Sequence, residues 1–189
     1  MKLIITIILI AGYALCNDLS VTLSPCKINY SIETRVVTEK MRHIRMPVDF
    51  FVVLHNNSDK IINIYDDDNS WGFECIKFIL HNNENEYVVT KKPTIWYRNF
   101  ESFISIKPHK FYRFPVVYSD VIWRFSGLNK HKKANLIRVI YDQPIKKTVS
   151  VALKGGDLWS GIISSPYYQI TNIIKRIESK NSSASKSDE

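Results

Sequence analysis

Val48-Asp-Phe-Phe-Val-Val-Leu-His55, followed by Asn56-Asn-Ser-Asp59, is the stretch that decides the fold. β-Branched and aromatic side chains fit a pleated, half-buried surface, and here Val48, Phe50, Val52 and Leu54 alternate onto one face. The Asn-Asn-Ser-Asp cluster then stops the run, because such side chains hydrogen-bond nearby backbone and favour turns. This unit of strand and polar turn recurs along the chain. Lys60-Ile-Ile-Asn-Ile-Tyr65 resumes and stops at Asp66-Asp-Asp-Asn-Ser70. Glu74-Cys-Ile-Lys-Phe-Ile-Leu-His81 and Glu86-Tyr-Val-Val-Thr90 flank Asn82-Asn-Glu-Asn85, the pattern of a hairpin. Ser102-Phe-Ile-Ser-Ile-Lys107 ends at Pro108, and Asn135-Leu-Ile-Arg-Val-Ile-Tyr-Asp142 ends before Pro144. Trp159-Ser-Gly-Ile-Ile-Ser164 and Tyr167-Tyr-Gln-Ile-Thr-Asn172 read as the last two strands.

These segments predict an all-β chain of seven to nine strands, with no amphipathic helix longer than two turns. One-sided strands joined by polar turns fit a two-sheet sandwich, which buries one face of each strand. Trp71, Trp159, Val52, Leu54, Phe78, Ile137 and Val139 are the expected core. The sandwich is expected to span residues 17–174. Residues 175–189 lose aromatics, become serine-rich and charged, and read as a disordered tail.

The amino terminus has a different character. In Met1-Lys-Leu-Ile-Ile-Thr-Ile-Ile-Leu-Ile-Ala-Gly-Tyr-Ala-Leu-Cys16, one lysine precedes an apolar run, small residues follow, and the chain turns polar at Asn17-Asp18. That is the order of a secretory signal peptide over residues 1–16. The run is well short of the roughly 20 residues that cross a bilayer. A secreted or extracytoplasmic protein is therefore expected, in the periplasm or at a cell surface, without a transmembrane segment in its mature part. Cys16 also raises a lipid anchor, but Leu15 stands where a lipobox carries a small residue.

Cleavage after Cys16 leaves Cys26 and Cys75. In an oxidising compartment such a pair is a disulfide candidate; the other reading is two buried thiols acting as small hydrophobes. A bond closing a loop of about 50 residues would stabilise the fold by roughly 4 kcal/mol.

The chain carries 26 basic and 18 acidic residues, a net charge of +8. The basic residues are scattered in pairs, Lys91-Lys92, Lys132-Lys133 and Lys146-Lys147, without an arginine-rich run or a nucleic-acid motif. Nucleic acid is not an expected partner. Asp66-Asp-Asp-Asn69 could supply oxygen ligands to calcium, yet it lacks the spacing and glycine of an EF-hand loop, and such runs are usually solvated turns. His43, His55, His81, His109 and His131 stand apart, outside any His-Glu-x-x-His arrangement, and no Gly-x-Ser-x-Gly elbow supplies a nucleophile. No catalytic residue, cofactor or metal site is expected. Asn29, Asn56 and Asn181 begin N-glycosylation acceptor triplets. Trp96, Tyr97 and Arg98 sit between Lys91-Lys92-Pro93 and Asn99, and are of the types that most often anchor interfaces. They are the candidate partner-binding residues, if this loop does not simply pack into the core.

Leu136-Ile-Arg-Val-Ile-Tyr141, Leu158-Trp-Ser-Gly-Ile-Ile-Ser-Ser-Pro166 and Tyr168-Gln-Ile-Thr171 together resemble the ending of immunoglobulin-like domains of exported bacterial proteins, many of unassigned function. The resemblance implies an immunoglobulin-like β-sandwich and an exported location, and carries no catalytic residue. The leading expectation is a non-enzymatic binding or structural module for a protein or glycan. Two alternatives are a secreted inhibitor or immunomodulator of viral or pathogen origin, and a hydrolase or metal-dependent enzyme on the same scaffold.

Overall fold

The computed structural model describes residues 18–27, 30–36, 42–96, 100–125, 134–144, 153 and 155–173. The expected signal peptide, Cys16 and the charged tail lie outside the described residues.

Two antiparallel sheets form the body of the fold. The first holds β1 (Leu19–Pro25), β4 (Phe50–Asn56) and β9 (Phe111–Val116), in the order β1-β4-β9. The second runs β10 (Trp123–Phe125), β7 (Glu86–Lys91), β6 (Ile76–His81), β11 (Leu136–Gln143) and β13 (Gly161–Ser164), and β14 (Tyr168–Gln169) also pairs with β11. Outside them stand a β2 (Ser31–Val36) and β3 (Arg42–Pro47) hairpin and a small sheet of β12 (Asp157–Leu158), β5 (Ile62–Tyr65) and β8 (Phe103–Ile106).

Period-two patterning builds this core. Along β1, Leu19, Val21 and Leu23 are buried; β4 contributes Phe50, Val52 and Leu54, and β9 contributes Phe114 and Val116. The other sheet answers with Ile76, Phe78 and Leu80 from β6, Tyr87 and Val89 from β7, and Ile137, Val139 and Tyr141 from β11. Rings cross the interface: Phe50 meets Phe78 edge-on at 5.5 Å, and Phe114 stacks on Tyr141 at 6.4 Å. The structure is an all-β sandwich. Pro115 sits in β9, where its missing N–H costs nothing to the sheet because β9 pairs with β4 alone.

The hairpin expected at residues 82–85 forms, with His81 paired to Glu86. Asn82 Oδ1 accepts from the N–H groups of Glu84 and Asn85 at 3.1 and 2.9 Å, which closes the turn. After β5 the chain makes a short helix, α1 (Ser70–Phe73), capped by Asn69, whose side chain accepts from Trp71 N and Gly72 N. Gly72 is required there, since a Cβ would lie 2.0 Å from the Asp66 carbonyl oxygen.

Four expectations are corrected. The strand read over residues 167–172 shortens to β14 and gives way to α2 (Ile170–Ile173), because Ile170 and Ile173 are both buried and three apart is a helical spacing. Trp71 and Trp159 are half-buried rather than core. Trp71 opens α1 outside the sheets and stacks on Tyr65, while Trp159 lies in the connection between β12 and β13, against Tyr141. Trp123 is the buried tryptophan instead, 2% exposed, edge-on to Phe78 at 4.7 Å and donating from Nε1 to the Val117 carbonyl at 2.9 Å. Finally, no disulfide joins Cys26 and Cys75: Cys26 follows β1 of the first sheet, Cys75 precedes β6 of the second, and Cys75 Sγ donates to the Trp71 carbonyl at 3.2 Å. Burial pushes that thiol up to about 12, so it stays protonated at neutral pH.

Candidate functional site

The two sheets meet differently along their two sides. On one, β1 packs against β11 and β13, and α2 closes over β1. On the other, between β9 and the β7–β10 edge, a cleft of about 630 Å³ remains. Its floor is Ile76 and Trp123, one wall is Tyr112, Phe114 and Val116 from β9, and Trp96 with Phe73 stands opposite. Trp96 is edge-on to Phe73, at 5.4 Å and 82°.

Asp66, Asp67 and Asp68 line the mouth of the same cleft, with carboxylate oxygens within 4.8 Å of one another. Asn69 fixes them there. Besides capping α1 it donates from Nδ2 to the carbonyl and hydroxyl of Ser102, at 3.1 and 2.9 Å, and is 2% exposed. Asp66 N donates to the same Ser102 carbonyl. The turn is thus nailed to the strand that follows the Trp96 loop.

Among the described residues, Lys91 reaches this acidic mouth. Lys91 Nζ pairs with Asp67 at 3.3 Å and lies over the Phe73 ring, 4.5 Å from its centroid. Aromatic faces attract ammonium groups through their negative quadrupole. Burial, then the charges of Asp67, Asp66 and Asp68, raise the Tyr112 hydroxyl pKa above its ordinary value.

Of the residues expected to bind a partner, Trp96 lines this cleft, whereas Tyr97 and Arg98 lie outside the described residues. The sequence treats the acidic turn and the Trp96 loop separately; in the fold both line the same cleft. Thirty residues apart in sequence, they share no local signal that reveals the pairing. Three histidines have described side chains, and none lines the cleft: His55 bonds Thr22, His109 pairs with Asp59, and His81 packs on Tyr167.

Asn56, a glycosylation candidate in sequence, is a structural residue. Its Nδ2 donates to the carbonyls of Lys60 and Ile106 at 2.7 and 2.9 Å, its Oδ1 accepts from Ser58, and it is 1% exposed. A glycan on that nitrogen is incompatible with this fold. Asn29 and Asn181 lie outside the described residues. Among the described residues, no helix is long and apolar enough to cross a membrane.

Compared with known protein families, curated protein sequences and solved structures, the chain matches none.

Proposed function

We propose that the chain is an exported, non-enzymatic binding module with immunoglobulin-like topology, which holds a protein or glycan partner in the cleft beside Trp96. Strand order supports the topology. The β1-β4-β9 sheet and the β7-β6-β11-β13 path correspond to A-B-E and C′-C-F-G of an immunoglobulin sandwich. Export rests on the leader pattern of residues 1–16.

The observation that carries the binding reading is the cleft: about 630 Å³, lined in nearly equal measure by apolar side chains and by polar groups that include Asp66, Asp67, Asp68 and Lys91. Its size falls in the range of ligand sites on proteins. Part of its lining, Ile76, Phe114, Val116 and Trp123, belongs to the two sheets, which fixes those side chains before any ligand arrives.

The test displays the chain from residue 17 onward, wild type and Trp96→Ala, against arrays of extracellular proteins and glycans. Ligands retained by the wild type and weakened at least about tenfold in the variant are expected. Equal retention by both proteins would remove the cleft from consideration, and retention of nothing by either would count against binding as the activity.

A further inference from the structure

We infer that the outer face of the β1-β4-β9 sheet is a second binding surface, apart from the cleft, and that it docks an acidic protein with Arg113 as its charged anchor.

Strand alternation decides what this face shows. Val53 stands at its centre, paired with Thr22 on one side and Arg113 on the other. Along β4, Phe51 faces Pro115 and His55 faces Phe111. On β1 the outward residues are Ser20, Thr22 and Ser24. Each of the three strands contributes three outward positions, and the Arg113 guanidinium is their one fixed charge. The other sheet differs: on its outer side Lys77 pairs with Asp142 and Arg138 with Glu86. Charge is thus missing from one face of a chain that is 23% charged, not from the chain. Loss of Lys, Glu and Asp with gain of aromatic residues and Arg is the composition of a buried interface core. Two rings there remain in water, Phe111 at 51% exposure and Tyr30, which tilts against Phe51, at 44%.

Charge selects the partner. Arg113 is exposed and lies over the Phe111 ring, 4.8 Å from its centroid, and among the described residues no carboxylate pairs with it. Stacking holds the guanidinium plane and leaves its N–H fork to take a carboxylate through two parallel bonds. A second copy of the chain is a poor occupant, since it brings the same +8 charge and no acid on this face. Anionic glycans and lipid surfaces call for clustered basic residues, whereas one guanidinium stands here among rings and short side chains. An acidic protein surface matches both the apolar ground and the single charge. At about 4.8 Å between strands and about 6.8 Å between alternate residues, the face covers on the order of 300 Å², the centre of an interface with Arg113 and Phe111 as its hot spots.

The test uses the chain from residue 17 onward against four immobilised probes: acidic extracellular proteins, basic ones, heparin, and phosphatidylcholine vesicles containing phosphatidylserine. Arg113→Glu and Phe111→Ser are the variants. Arg124→Glu, which reverses an exposed charge on the other sheet, controls for net charge. All three side chains are exposed, and unchanged urea midpoints check that the fold is kept. Retention of an acidic protein is expected, weakened at least about tenfold by Arg113→Glu and by Phe111→Ser, and within about twofold of wild type in Arg124→Glu. Changing the facing Asp or Glu of that protein to Lys should restore binding to Arg113→Glu.

Equal losses with Arg113→Glu and Arg124→Glu would reduce the effect to bulk charge and overturn the inference. So would retention of heparin or vesicles alone, self-association that Phe111→Ser abolishes, or retention of no protein. If every retained protein is lost by Trp96→Ala and none by Arg113→Glu, the cleft stands and this face falls. The reverse pattern upholds this face and removes the cleft.

Discussion

Gln143 is a buried polar residue that a leucine could replace in volume but not in bonding. It ends β11 at 1% exposure, and its Oε1 accepts from Tyr65 N–H at 3.1 Å and from the Tyr141 hydroxyl at 2.7 Å. Its Nε2 donates to the Trp159 carbonyl. Gln143→Leu therefore strands two donors on residues only 1% exposed, while the carbonyl of half-buried Trp159 lies nearer to water. Each orphaned buried group costs about 1–3 kcal/mol, so a loss of roughly 2–6 kcal/mol is expected. With a urea m-value of about 2 kcal/mol/M for a domain of this size, the unfolding midpoint should fall by about 1–3 M. The assay is equilibrium urea unfolding followed by tryptophan emission. In a Tyr141→Phe background the hydroxyl is already gone, and the same substitution should cost about 1–2 kcal/mol less. A midpoint within about 0.3 M of wild type, or strict additivity of the two changes, would refute the claim that these bonds form one buried network.

Three further outcomes are expected. Trp123→Ala should cost about 3–5 kcal/mol, and Trp159→Ala, at a half-buried ring, about 1–2 kcal/mol; equal urea midpoints for the two variants would reverse the assignment of the core tryptophan. Secreted from a glycosylating host, the folded protein should carry an unmodified Asn56, and peptide mass mapping that finds glycan there on native protein would contradict its buried bonding. Cys75 has an alkaline signature. Its thiol pKa rises from 9.0 unfolded to about 12 folded, so the folded chain holds the extra proton and the stability this confers is present below pH 9 and lost between 9 and 12. Urea midpoints should decline less steeply over that window in Cys75→Ala than in wild type; parallel curves would show that the thiol is not coupled to folding.

Much of the sandwich is legible in sequence because its strands bury one face only. Residues 136–143 alternate in burial at every position, and period two is the pattern that sequence records best. The same logic misplaced the tryptophans. Aromatic size suggests burial, but what buries Trp123 is its place on β10 opposite Lys91, a long-range pairing with no local trace. The final strand failed for another reason: Ile170 and Ile173 fit alternation with their neighbours no better than they fit one helical turn, and packing on β1 chose the turn. The acidic run was readable as a turn, since Asn69 is a favoured cap, yet its partners Lys91, Phe73 and Trp96 come from elsewhere in the chain. Asn56 shows the converse hazard. A modification motif read from three residues is silent about two carbonyls, at Lys60 and Ile106, that already hold its amide.

The two sides of the sandwich separate stability from recognition. Where β1 meets β11 and β13, apolar side chains close the sheets, and Gln143 nearby ties β11 to β5 and to the β12–β13 connection. Where β9 faces β7 and β10 the sheets part, and the polar groups there are held by bonds that do not span the core: Asn69 to Ser102, Lys91 to Asp67. An edge strand that carries Pro115 lacks one outward N–H, which makes that side a poor place to add another strand of the same sheet. What the open side offers instead is side-chain chemistry, an apolar floor under a ring of carboxylates and aromatic faces. Substitutions at Trp96, Asp66 or Asp68 should accordingly change what the cleft holds and leave the closed side to keep the fold. Asn69 is an exception, because one side chain caps α1 and positions the carboxylates, so that binding and local stability there rest on the same set of hydrogen bonds.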